Sequence, residues 1–213
     1  MRPPERWSAA RGTLAIAGLT VAAWVLAAIL NLSNWVVMWA GFIPARLSGA
    51  GADIAFAPIW LTPLTATIAH AGIAHLLMNI LMLLFCGRSV ENILGLRGLL
   101  ILYLVGAYAA AAAHYLANVN EIAPMVGASG AISAVLGAYS MLFGRNRVKV
   151  ADPRLALMLN ALWLAAAWVL LQLLVGLTFE TQGARIAVAA HVGGFLAGLA
   201  LAKPLLILRY RGA

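Results

Sequence analysis

Six times along this chain an apolar run recurs that is long enough to cross the hydrocarbon core of a bilayer as a helix, which takes about 18–23 residues. The runs are Thr13–Leu30, Leu64–Phe85, Leu99–Leu116, Met125–Phe143, Leu155–Leu177 and Ile186–Leu208. Lipid supplies no hydrogen bonds, so a spanning segment must satisfy its own backbone, and only helices or a closed barrel can do so. Runs of this length lack the two-residue alternation of barrel strands and read as helices. The predicted fold is therefore all-α: a polytopic bundle of six transmembrane helices over residues 13–208, with cytoplasmic tails at 1–12 and 209–213. With 64% hydrophobic and 9% charged residues, the chain lies far from soluble domains, in which about a quarter of residues are charged.

A net charge of +8 would point to nucleic acid in a soluble protein, so the positions of the charges decide its meaning. With the N-terminus in the cytoplasm, Arg2, Arg6, Arg11, Arg88, Arg97, Arg145, Arg147, Lys149, Arg154, Lys203, Arg209 and Arg211 fall on the cytoplasmic side. Only Arg46 and Arg185 fall outside, so twelve of the fourteen basic residues share one side. The basic balance is a topology signal. No basic stretch is interleaved with base-stacking aromatics, which argues against a nucleic-acid partner. The expected location is a bacterial inner membrane, with both termini cytoplasmic. The first run is too long for the apolar core of a cleaved signal and reads as a span. The single cysteine, Cys86, excludes an intrachain disulfide.

The segment from Asn31 to Pro63 carries Trp35, Trp39, Trp60, Pro44 and Pro58, a composition suited to short helices lying in the outer leaflet. Pro153 stands where a new helix would begin. No internal repeat is found, which weakens a transporter reading.

Polar groups inside spans are costly and mark the candidates for chemistry. The second run holds His70, His75 and Asn79; the fourth holds Gly127-Ala128-Ser129-Gly130; the sixth holds Ala190-His191-Val192-Gly193-Gly194. Singly, each has an ordinary explanation: a serine among glycines packs helices, and a buried histidine is more often structural than catalytic. Their depths bring them together. At about 1.5 Å of rise per residue, Ser129 and His191 lie roughly 6–8 Å below the outer ends of their runs and His75 roughly 16 Å. One outer-leaflet cavity can then hold a serine nucleophile, a histidine base, and two oxyanion donors, His75 and Asn79, which share a helical face.

Glu5, Asp53, Glu91, Glu121, Asp152 and Glu180 are all assigned to tails or loops, so a Ser–His dyad without an orienting acid is expected. His70 and His75 are five apart with no glutamate after the first, unlike a zinc H-E-x-x-H site. Neither a metal nor an organic cofactor is expected.

The motifs His70-Ala-Gly-Ile-Ala-His75-Leu-Leu-Met-Asn79, Gly127-Ala-Ser129-Gly130 and Ala190-His191-Val-Gly-Gly194-Phe-Leu-Ala-Gly198 resemble, in residues and in order, those of the rhomboid family of intramembrane serine proteases. The resemblance covers about Ile68 to Leu201. It implies Ser129 as nucleophile, His191 as general base, and His75, Asn79 and the Ser129 N–H as the oxyanion hole. Gly127 and Gly130 would allow close backbone approach, and Gly194 and Gly198 close packing of the sixth helix on the fourth. It also implies a membrane-embedded first loop, transmembrane protein substrates in the lipid bilayer cut near its outer face, and substrate access past the fifth helix. There Gln172 is the strongly polar mid-span residue, expected to form an interhelical hydrogen bond. Two features depart from the family. Ser133 stands where some relatives carry an aromatic against the catalytic histidine, so something else must hold the imidazole. The first loop lacks a clear Trp-Arg pair, although Trp39 and Arg46 are present. His114 matches no motif and is placed at the membrane interface. The competing readings are a proton or solute path lined by His75, His191 and Ser129, and a non-catalytic relative that binds membrane clients. The missing carboxylates weigh against the first, and the presence of both Ser129 and His191 against the second.

Overall fold

Six helical stretches cross the bundle in a computed structural model that describes residues 10–49, 57–144, 150, 152–180 and 187–211. Arg2, Glu5, Arg6, Asp53, Arg145, Arg147, Lys149, Arg185 and Ile186, with the charge and tail assignments that use them, lie outside the described residues. The helices are α1 (Arg11–Ile29), α2 (Ser33–Ala40), α3 (Thr62–Thr65), α4 (Ile73–Met82), α5 (Arg88–Ala117), α6 (Ser129–Phe143), α7 (Pro153–Glu180) and α8 (Val188–Arg209). A 3-10 turn covers Pro44–Ser48, and a π turn over Leu83–Gly87 joins α4 to α5. The chain is an all-α integral membrane protein; α1, α4 with its π turn, α5, α6, α7 and α8 make the six-helix bundle.

Boundaries differ from the apolar runs in three places, each for a local reason. The second span begins at Ile73, not Leu64. The Ala66 carbonyl that a continuous helix would need accepts the Gly127 N–H instead, at 2.8 Å. The fourth span begins at Ser129, not Met125. Met125 exchanges two backbone hydrogen bonds with Phe42, of 3.0 and 2.8 Å, and Gly127 has φ +110°, which no α-helix accommodates. The 15 residues of α6 span about 22 Å, well short of a hydrocarbon core of about 30 Å.

The third difference corrects the placement of Glu91 in a loop. No loop separates the second and third spans: the chain is helical from Ile73 to Ala117, broken only at Gly95, with φ +72°. Glu91 lies in the first turn of α5 and is 2% exposed. Its carboxylate accepts Gly12 N–H and Thr13 N–H, each at 2.8 Å, and Thr13 Oγ1–H at 2.7 Å. It thus satisfies donors that the start of α1 leaves open and adds negative charge at the positive helix end. Replacing Glu91 by alanine strands these buried donors and should lower stability by about 2–3 kcal/mol. Thermal unfolding in detergent would show it, and an unchanged midpoint would contradict the assignment.

The first loop does contain short helices. Trp35 and Trp39 stack on α2 at 5.6 Å. Trp39 and Arg46 both hold the fully buried Ala57: Ala57 N–H donates to Trp39 O at 2.9 Å and Arg46 Nη1 donates to Ala57 O at 3.1 Å. Pro153 is the first residue of α7, and the Asp152 side chain accepts the Arg154 N–H at 2.8 Å, an N-cap contact.

The core lies among α5, α6 and α8, where Val90, Leu99, Leu102, Val135, Ala138 and Ala202 are fully buried. Small residues let the three backbones approach. A Cβ on Gly194 would meet the Gly130 carbonyl oxygen, one on Gly198 the Ala134 carbonyl oxygen, and one on Gly130 the Ala110 Cβ. Gly194 and Gly198 lie where α8 meets α6, whereas Gly130 lies against α5. Helix α7 stands at the periphery and packs chiefly on α8.

Candidate active site

The first turns of three helices hold the candidate residues. Ser129 is the first residue of α6, His75 the third of α4 and His191 the fourth of α8. His75 therefore does not lie deep in its helix, as expected from a start at Leu64, but near the beginning of a helix that starts later.

Ser129 and His191 face each other across the α6–α8 contact, with His191 Nε2 2.7 Å from Ser129 Oγ. The close backbone approach at Gly194 and Gly198 makes this contact possible. His75 reaches the segment before Ser129: a Cβ on Gly127 would lie 2.6 Å from the His75 Cε1 and Nε2 atoms. Glycine is required at 127 twice over, for its positive φ and for the imidazole against it. The N–H groups of Ser129, Gly130 and Ala131 precede the first intrahelical bond, Ile132 N–H to Ala128 O at 2.9 Å. They form the positive end of the α6 dipole, where developing negative charge is favoured.

Asn79 is 4% exposed, and its Nδ2 donates to the His75 carbonyl at 2.8 Å. That bond uses one of the two amide N–H groups and leaves the other. The rings of His70 and His75 meet edge-on at 5.0 Å. Both nitrogens of the buried His70 have no partner among the described residues. His114 is buried in the last turn of α5, and Asn118 Nδ2 donates to its carbonyl at 3.1 Å. Ser133 is buried where α8 crosses α6, its Cβ 3.3 Å from a Cβ built on Gly194. A larger side chain there would separate the helices.

A cavity beside Ser129 is lined by Pro63, Thr67, Ala107, Met125, Gly127 and Ala190. It is small and mostly apolar, with the serine on its wall.

Residues 58–208, well over half of the chain, match the family model described as Rhomboid domain. The chain belongs to the rhomboid family. Among curated rhomboid relatives it is similar to Rhomboid protease GlpG of Pectobacterium atrosepticum, at 28% identity over 89% of this chain. It is 30% identical to Rhomboid protease GluP of Bacillus subtilis over 68% of this chain, and 31% identical to RHOMBOID-like protein 1 of Arabidopsis thaliana over 71%. The matched parts cover 61%, 26% and 34% of the lengths of those rhomboid proteins.

One contact of this rhomboid site went unassigned in the sequence. Gln172 of α7 is 6% exposed, and its Oε1 lies 2.7 Å from His191 Nδ1. It does form the expected interhelical hydrogen bond, but its partner is the candidate base. The available signals were its polarity at mid-span and the lack of an aromatic at Ser133.

Proposed function

We propose that the chain is an intramembrane serine endopeptidase that cleaves transmembrane segments of membrane proteins near the outer face of the bilayer through Ser129 and His191. The observation that carries this reading is the 2.7 Å contact between His191 Nε2 and Ser129 Oγ, at the starts of two helices inside an apolar bundle of the rhomboid family. The protease names of the GlpG and GluP relatives support the reaction class.

His191 Nε2 takes the Ser129 hydroxyl proton as Oγ attacks the scissile carbonyl carbon. The carbonyl π electrons move onto oxygen, and His75, Asn79 and the Ser129 N–H stabilise the resulting oxyanion alongside the α6 dipole. Collapse of the tetrahedral species expels the amine, which receives its proton from His191. A water, deprotonated by His191, then releases the acyl group from Ser129. These steps need no metal or organic cofactor. The 15 residues of α6 are too few to cross the whole hydrocarbon core, which supports a start of α6 below the outer surface, where Ser129 would meet substrate within the bilayer yet near water. A substrate helix must unwind locally there to present an extended backbone.

The charge distribution supports cytoplasmic termini and a bacterial inner-membrane location, with residues 13–208 as the membrane domain and 1–12 and 209–213 as tails. Reporter fusions after Gly144 and at the C-terminus should both read cytoplasmic, and one near Glu121 should read the opposite side. An external C-terminus would overturn this orientation. The catalytic reading is tested by a fluorophosphonate probe, which should label wild-type protein at Ser129 and leave Ser129→Ala unlabelled. Equal labelling of both proteins would refute the nucleophile.

A further inference from the structure

We propose that Gln172 is a positioning residue: its side-chain oxygen accepts the His191 Nδ1–H and so holds the imidazole in the tautomer whose Nε2 lone pair faces Ser129. The proposal rests on the serine-protease reading above and extends it from a Ser–His pair to a Ser–His–Gln line.

Three observations converge on this role. The distances are 2.7 Å on both sides of the ring, from Nε2 to Ser129 Oγ and from Nδ1 to Gln172 Oε1. A neutral imidazole carries one N–H and one lone pair. For Nε2 to accept the serine proton, the hydrogen must sit on Nδ1, and Nδ1–H then needs an acceptor. Gln172 provides one without charge, which suits lipid, where a carboxylate in the same place would carry a large desolvation cost.

The second observation is the register between α7 and α8. Trp168, four residues before Gln172 and on the same face of α7, donates its indole N–H to the His191 carbonyl at 3.3 Å. Its ring stacks on Phe195, four residues after His191, at 4.9 Å and 15°. Two side chains of α7 thus meet two of α8 in a matched pair of i, i+4 contacts, and this seam fixes the rotation that aims Gln172 at Nδ1. The third is the setting of α7, which otherwise packs little on the bundle: a mid-span amide 6% exposed finds its partner on the candidate base.

The test uses full-length protein in detergent or nanodiscs, with 15N-labelled histidine and His191→Ala to assign the His191 signals. Wild type should show the Nδ1–H tautomer. Gln172→Leu replaces the amide with an apolar side chain of similar size and should stay folded, yet it should show a mixture of tautomers. Its kcat on a transmembrane substrate should fall roughly 10–100-fold, the loss expected when a buried hydrogen bond loses one partner, with KM unchanged. A Gln172→Leu protein with wild-type tautomer and kcat would overturn the proposal, as would a wild-type spectrum showing the Nε2–H form, with the amide donating to Nδ1 instead. If the wild type cleaves no transmembrane substrate, the protease reading fails, and the tautomer spectra of wild type and Gln172→Leu still decide for or against the role of Gln172.

Discussion

Ser129→Ala and His191→Ala should each abolish cleavage of a purified transmembrane substrate while leaving a folded, helical protein. The nucleophile forms the acyl bond and the base moves the proton in both halves of the reaction, so neither can substitute for the other. Losses on the order of 10⁴–10⁶ in kcat follow when members of such a unit are removed, and the double variant should lose little more than either single one. A Ser129→Ala protein with near-normal turnover would end the protease assignment. Asn79→Ala in the same assay should be graded, with a loss on the order of 10² or less, because an oxyanion donor shares its charge with others. Its Nδ2 already donates to the His75 carbonyl at 2.8 Å, so the substitution also frees the first turn of α4. If Asn79→Ala lowers only the unfolding temperature and keeps the wild-type kcat, Asn79 is a structural residue and leaves the oxyanion hole.

The second large effect is expected from the α6–α8 crossing. A Cβ on Gly198 would overlap the Ala134 carbonyl oxygen and come within 2.8 Å of the Ala134 Cα. These are backbone atoms that cannot rotate away. Gly198→Ala should therefore cost about 3 kcal/mol or more. The surviving folded fraction should be catalytically impaired as well, since the same crossing sets the distance between Ser129 and His191, and a shift of about 1 Å can cost on the order of 10²-fold in rate. Gly18→Ala is the internal control: no atom lies within 4 Å of a Cβ built there, and alanine is the better helix former. Melting curves and turnover of the two variants in one detergent would separate a packing effect from a general loss of helix flexibility. Equal behaviour of Gly198→Ala and wild type would show that the helices are not in the contact described.

What could be read without a fold follows from how local each signal is. A membrane span is a one-dimensional property, because lipid demands about 20 apolar residues in a row whatever the neighbours do. The six spans and the all-α class were legible for that reason. So was the small-residue pattern of Gly194 and Gly198, since close helix approach needs glycine at fixed spacing. Ser129, His191, His75 and Asn79 could be singled out as polar groups in apolar runs, together with their likeness to a family's motifs. Their mutual distances could not be read with the same accuracy, because an estimate of depth inherits every error in the helix starts. His75 shows this: apolarity alone cannot tell a helix from an apolar turn, and the Ala66 carbonyl that stops α4 from beginning earlier is taken by Gly127, sixty-one residues away. Glu91 belongs to the same class of error. A charged residue between apolar runs reads as a loop, yet here it is buried because α1 supplies three donors from the far end of the chain. Only the tertiary structure decides such cases, since the partner that makes burial affordable is invisible to the local sequence. The same holds for Gln172. Its polarity marked it as a hydrogen-bonding residue, but which helix it met depended on the rotation of α7 against α8, and the stacking of Trp168 on Phe195 sets that rotation through side-chain packing.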